Sequence, residues 1–232
     1  RAGQEPGLVG GPMYSYLKAV SAIRLAQQLQ PQFDVPVLPA FWIASEDHDV
    51  AEVAWTFLSG HRYVVEHEVL QRGGPRPAVG MLSLEPFRNQ LTTFAHRNLG
   101  SLPHGETVKQ WTGTASYANY TAQFAHIFSK AFEGTPLVFI DALALRELAA
   151  PVLSHAIRNL APLQRAFAEG GGIVRAEGFD APLASVGIFE FVEDHRLPCT
   201  FVQDGVMLER GKLSYEDFAK TIEDEPMSFS GG

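Results

Sequence analysis

The segment Val35-Pro36-Val37-Leu38-Pro39-Ala40-Phe41-Trp42-Ile43-Ala44 constrains the fold most. It is an unbroken apolar run that ends directly in Ser45-Glu46-Asp47-His48-Asp49. Proline cannot donate to a β-ladder, so Pro39 confines regular pairing to the C-terminal half of the run. A short strand that is apolar on both faces needs cover on both sides, the arrangement of a parallel α/β sheet. Pro136-Leu137-Val138-Phe139-Ile140-Asp141 returns as a second buried strand.

Between and around these strands the punctuation is regular. Residues 3–11 form a glycine-rich loop, and Pro12 stands where a helix begins, since a first-turn proline loses no hydrogen bond. From Met13 to Gln30 the polar residues Ser15, Lys18, Ser21, Arg24 and Gln28 recur at helical steps. So narrow a polar stripe predicts a mostly buried helix. Residues 62–70 and 79–84 read as β segments around the turn Gly73-Gly74-Pro75. Helices are expected over Leu84 to Leu99, over Ser116 to Phe132, and from the second strand through Ala168. A break at Gly170-Gly171-Gly172 then leads to a β-rich region, 183–209. A last helix near 214–224 is capped by Ser214. The pattern is α/β, interrupted by an insertion from about 55 to 135.

Composition narrows the function. With 46% hydrophobic residues the chain can build a sizeable core. Its 26 acidic and 18 basic residues give a formal charge of −8, which argues against a nucleic-acid binder working by bulk positive charge. Cys199 is the only cysteine, which excludes thiolate metal clusters and fits a reducing compartment. No run of about 18 apolar residues suggests a membrane span.

Two constellations could carry chemistry. The first few amides of a helix have no internal partner and sit at the positive end of its dipole. Here those of Met13, Tyr14 and Ser15 are available to an anion, and Gly10 and Gly11 allow close approach. Tyr14 and Lys18 share a helix face. The spacing matches neither standard nucleotide fingerprint, and glycine-rich entries also serve packing alone. The second constellation is Glu46, Asp47, His48 and Asp49 at the carboxyl end of a buried strand, where ligands of open α/β sheets bind. Carboxylates this dense call for a cation: Mg²⁺, a substrate amine or a protonated His48. The competing reading is Ser45 as a helix cap, with the acids complementing the dipole. His61 and His67 are expected on a surface strand, about 20 Å apart at about 3.3 Å per residue, too far to share one ion. His126 is expected at the core boundary.

Taken together, Gly3-Gln4-Glu5-Pro6-Gly7-Leu8-Val9-Gly10-Gly11-Pro12-Met13-Tyr14 with Lys18, and Pro36 through Asp49, resemble two motifs of the bacillithiol-biosynthesis cysteine-adding enzymes. These motifs are TGQQ-x-GL-x-x-GP-x-Y-T-x-x-K and VPVxPVFWIAxEDHD. Leu148 to Pro151, Ser214 to Asp217 and Glu225 to Phe229 follow weaker family patterns in order. The resemblance implies a cytoplasmic ligase that joins L-cysteine to glucosaminyl-malate, with ATP, with or without Mg²⁺, activating a carboxylate. No metal held by protein groups, membrane or nucleic acid is expected. It implies a Rossmann-like parallel sheet core with α+β insertions, truncated at both ends. On that plan residues 1–54 are the first part of the core, 55–135 a mixed α/β insertion, 136–169 the return of the core, and 170–232 a β-rich segment with a terminal helix. Gly3, Gln4, Gly7, Gly10, Gly11 and Tyr14 would hold phosphate or adenylate, with Lys18 as auxiliary cation. Glu46, Asp47, His48 and Asp49 would orient an amine or accept its proton. Glu5 stands where the family has Gln and puts a negative charge in that loop. The expected fragment lacks the strand feeding Gly3, a later GGPGE-like motif and the coiled coil through which full-length members form homodimers, and would be impaired alone. A metal-assisted hydrolase using the 46–49 block and a non-catalytic nucleotide-binding module are the alternatives.

Overall fold

A computed structural model describes residues 2–71, 74–100, 102–180 and 187–231. The chain divides into two compact units, Arg1–Ala144 and Leu145–Gly232.

In the first unit, β1 (Ala2–Gln4) leads through a 3-10 turn to α1 (Met13–Leu29), then to β2 (Ala40–Ile43), α2 (Val50–Val53), β3 (Trp55–Leu58) and β4 (His61–Val64). Next come α3 (Arg88–Leu99), α4 (Gly105–Thr114), α5 (Tyr120–Ala131) and β5 (Val138–Asp141). The main sheet is parallel, in the order β1-β2-β5, with Gly3 opposite Trp42 and Trp42 opposite Ile140. Pro39 acts as expected: the ladder begins at Ala40, and Val138 N–H donates to the Pro39 carbonyl at 2.9 Å. The strand said to be missing before the glycine loop is β1 itself, because Ala2–Gln4 pairs with Phe41–Ile43.

Cover on the sheet is one-sided. Phe41 and Ile43 are buried in a cluster with Ala19 of α1 and Phe124 and Phe128 of α5, whereas Ala40 and Trp42 on the opposite face are only half-buried. The Phe41, Phe124 and Phe128 rings lie 4.7 to 6.0 Å apart. Each such ring contributes about 2–3 kcal/mol by leaving water. The predicted burial of α1 is corrected. Ser15, Ala19 and Ala26 are its buried residues, while Met13 and Leu17 are more than half exposed. The helix touches the sheet through its small residues, with Tyr16 and Ile23 packed beside them, while Met13, Leu17, Val20 and Leu25 point away.

Three further expectations change. Residues 79–84 are not a strand: Val79–Met81 is a 3-10 turn with two amides spent on the block after β2, Gly80 N–H on Ser45 O at 2.8 Å and Val79 N–H on Asp47 O at 2.6 Å. The strand over 62–70 stops at Val64, and Glu68–Leu70 is a 3-10 turn. His67 is buried, not on the surface, with Nε2 3.0 Å from the Tyr120 hydroxyl. His126 is half-buried at the boundary, 3.2 Å from Thr114 Oγ1. Part of the turn predicted at 73–75 lies outside the described residues.

The second unit holds α6 (Arg146–Arg158), α7 (Leu160–Ala176), β6 (Ile188–Val192), β7 (His195–Pro198), β8 (Thr200–Val202), β9 (Gly205–Leu208), β10 (Gly211–Leu213), α8 (Tyr215–Asp224) and β11 (Phe229–Gly231). Its antiparallel sheets run β11-β6-β7 and β10-β9-β8, around a core containing Ile157, Val206, Phe218, Ile222 and Phe229. The stretch expected as the return of the core, 136–169, is divided: its strand closes the first unit and its helices open the second. Gly170-Gly171-Gly172 does not break the chain. These glycines lie inside α7, where local hydrogen bonding outweighs the cost of about 1 kcal/mol per glycine. Ser214 caps α8 as predicted, its Oγ accepting from Asp217 N–H at 3.1 Å. Part of the expected β-rich stretch, 183–186, lies outside the described residues.

Candidate active site at the carboxyl ends of the parallel strands

Strand β1 ends at Gln4, and the chain turns at once. Gly7 N–H donates to Glu5 O at 2.9 Å, and Gly11 N–H to Leu8 O at 3.1 Å. The turn needs left-handed backbone at Val9 (φ 55°), Gly10 (φ 87°) and Gly11 (φ 75°). Val9 is held there by its amide, which donates to the buried Gln123 Oε1 at 3.0 Å. The glycines also answer a packing demand. A methyl on Gly10 would lie 2.3 Å from Tyr16 Oη, one on Gly11 3.2 Å from Phe124 Cε2, and one on Gly7 2.9 Å from Gly11 Cα. Gly3 is close-packed too, with Trp42 Cβ 3.0 Å from where its methyl would stand.

Pro12 is the N-cap of α1 rather than its first residue, and Ser15 N–H returns to Pro12 O at 2.9 Å. Of the three amides expected to be available, Met13 and Tyr14 keep theirs, with no acceptor among the described residues. Lys18 is already committed: Nζ donates to Gly3 O at 3.2 Å and to Gln4 Oε1 at 2.8 Å, and lies 4.8 Å from the Tyr14 ring centre. Gln4 Nε2 in turn donates to the Glu5 carboxylate.

The neighbouring strand delivers the acidic block. Ala44 N–H donates to Gln4 O at 3.0 Å, so the two strand ends leave the sheet side by side. Ser45 does not cap a helix. Its buried Oγ donates to Asp141 Oδ1 at the end of β5 and accepts from Leu143 N–H at 2.9 Å. Asp47 turns the chain instead, its Oδ1 accepting the amides of His48 at 2.6 Å and Asp49 at 3.3 Å. His48 Nδ1 is buried, has no hydrogen-bond partner among the described residues, and lies 3.7 Å from Asp47 Oδ1. Glu46 and Asp47 are half-buried, and Asp49 is exposed at the start of α2.

A cleft of about 780 Å³ opens beside the glycine turn. Gln4, Gly7, Gly11 and Tyr14 line it, as does Glu5, and its other wall is 51–58, including Glu52, Trp55 and Phe57. Gly3, Gly10, Lys18 and the block Glu46 to Asp49 do not line it. Burial, then the carboxylates of Glu5 and Glu52, raise the Tyr14 phenol above its ordinary pKa. Sequence reading missed Asp141 and Glu52. Asp141 was recognisable as the last residue of a buried strand. Glu52 becomes a cleft residue only through the hairpin that follows it.

The family description "Bacillithiol biosynthesis BshC, N-terminal Rossmann-like domain" matches residues 1–232. The chain belongs to this family. Proteins named "Putative cysteine ligase BshC" are similar to it throughout. That of Koribacter versatilis is 28% identical over 239 residues, covering 99% of this chain and 44% of the relative. That of Bacillus cereus is 27% identical over 244 residues, covering 99% and 45%. That of Shouchella clausii is 30% identical over 223 residues, covering 93% and 39%. The chain therefore spans less than half the length of these BshC relatives. Among the described residues no helix is long and apolar enough to cross a membrane.

Proposed function

We propose that this domain handles the substrates of a ligase that joins L-cysteine to glucosaminyl-malate through an amide. One observation carries the reading: the β1 and β2 carboxyl ends, tied by Ala44 N–H on Gln4 O, deliver the helix-entry turn and the Glu46–Asp49 block to one edge of a parallel sheet. Ligands of open α/β sheets bind there. The family match and the names of its relatives support the same reaction class.

In this reading the Met13 and Tyr14 amides hold an anionic group of a substrate, and His48, with Glu46, Asp47 and Asp49 around it, takes the proton that the attacking amine loses. His48 is the member of the block that gains a positive charge on taking a proton, and Asp47 Oδ1, 3.7 Å from its Nδ1, is placed to stabilise that charge. A free carboxylate does not condense with an amine in water, so ATP, with or without Mg²⁺, belongs to the proposal as the activator. The cleft residues do not fit a triphosphate: among the described lining residues there is no Lys, Arg or His, and two are glutamates. Cytoplasmic location and a homodimer built through a coiled coil are proposed on the family resemblance alone.

The test is mass-spectrometric detection of the cysteine adduct made by the full-length protein from L-cysteine, glucosaminyl-malate and ATP. We expect product, and a loss of about a hundredfold in rate for His48→Ala. Undiminished product formation in both His48→Ala and Glu46→Gln would remove the block from the mechanism.

A further inference from the structure

Beside the neutral side chains of Gln4, Tyr14, Tyr16 and Thr56, the cleft at the start of α1 offers two kinds of group that answer a charge. The amides of Met13 and Tyr14 suit an anion, since the free donors of a helix's first turn point out of its end. Glu5 and Glu52 suit a cation. Glu52 is exposed and has no ion-pair partner among the described residues, and Glu5 has only the Gln4 amide. The nearby cations are placed elsewhere: Lys18 is bound to Gly3 O and Gln4, and the Arg62 guanidinium lies 5.3 Å from the Trp55 ring centre without lining the cleft. A phosphate chain entering here would meet two carboxylates and no side-chain cation. Trp55 and Phe57 give the opposite wall aromatic surface suited to the apolar face of a sugar or a short carbon chain. The volume, about 780 Å³, is that of a small-molecule site.

We infer that this cleft binds a zwitterionic small molecule, its carboxylate on the Met13 and Tyr14 amides and its ammonium group against Glu5 and Glu52, and that it excludes nucleotide phosphate. The inference rests on the ligase reading, in which both joined substrates carry an amine and a carboxylate. It adds Glu52, on α2, as the residue that selects for the amine.

Calorimetric titration of the full-length protein tests it, with glucosaminyl-malate and L-cysteine each compared with its N-acetylated form, and with ATP. At least one substrate should bind at least about tenfold more tightly than its N-acetylated form, the contrast of one charge-assisted contact. Glu52→Gln should abolish that preference and Glu52→Asp should keep most of it, with ATP binding weakened in neither. Equal binding of acetylated and free forms, no binding of either substrate, a preference untouched by Glu52→Gln, or weaker ATP binding in that variant would each overturn the inference. Product formation measured on the same variants separates the two proposals. Adduct formation without the amine preference would sink the cleft assignment alone, and the preference without any adduct would sink the reaction alone.

Discussion

Ser45 Oγ donates to the carboxylate of Asp141, tying the end of β2 to the end of β5 at the edge of the sheet where the candidate site lies. Ser45 is fully buried, and the same oxygen accepts from Leu143 N–H. Ser45→Ala leaves the Asp141 carboxylate without its hydroxyl donor. It should cost about 1.5–3 kcal/mol, the range for hydrogen bonds to charged groups, read from urea unfolding. A loss under about 0.5 kcal/mol would show that the tie does not hold the strand ends together.

The glycine turn makes a paired prediction. At Gly10 the backbone is left-handed and a methyl would collide with Tyr16 Oη, whereas at Gly60 the backbone is also left-handed (φ 80°) but nothing among the described residues lies within 4 Å of the added methyl. Gly10→Ala should therefore destabilise by about 2–4 kcal/mol and Gly60→Ala by about 1 kcal/mol. Equal losses would mean that backbone strain alone, and not contact with Tyr16, fixes the residue.

Burial lowers the His67 pKa below its ordinary value and raises that of its partner Tyr120. The unfolded chain then binds a proton at His67 more readily than the folded chain. Stability from this group is complete above about pH 6.5 and is lost as the pH falls from there, by no more than about 1.4 kcal/mol per pH unit. For Tyr120 the sign reverses: its contribution is complete below about pH 10 and fades as the pH rises beyond that. Thermal midpoints measured between pH 5 and 8 should fall toward acid more gently in His67→Gln than in the parent. Parallel curves would place the proton uptake on other histidines.

In the second unit, burial first and then Glu190 push the Cys199 thiol up to about 12. Thiolate, not thiol, is the nucleophile, so iodoacetamide at pH 8 should label Cys199 at least about a hundredfold more slowly in the folded protein than in urea. Rapid labelling of the folded protein would show that β7 and β8 open readily.

Much of the fold was legible where one force dominates. The apolar run ending at Ala44 announced a strand of a parallel sheet, though cover came on one face and not on both, and Ser214 announced α8 through its cap. The exposure of α1 was not legible, since apolar periodicity shows which residues can be buried and not whether a neighbour covers them. The 3-10 turn at Val79–Met81 was hidden because two of its amides bond to Ser45 and Asp47, far away in sequence. The same holds for the site. The glycine turn and the acidic block were visible as motifs. The placement of Glu52 opposite Tyr14 depends on the β3–β4 hairpin folding back, and no local pattern encodes it. Lys18 looked like a spare cation, yet its partners come from the adjoining strand.

The most direct measurement is a set of amide and indole NMR shifts on the full-length protein as L-cysteine and glucosaminyl-malate are added in turn. The account predicts that for at least one of them the largest shifts fall on Met13, Tyr14, Glu52 and the Trp55 indole, around the cleft. Shifts confined for both to residues outside it, such as His61, Gln90 and Arg97 in the groove between β4 and α3, would contradict it.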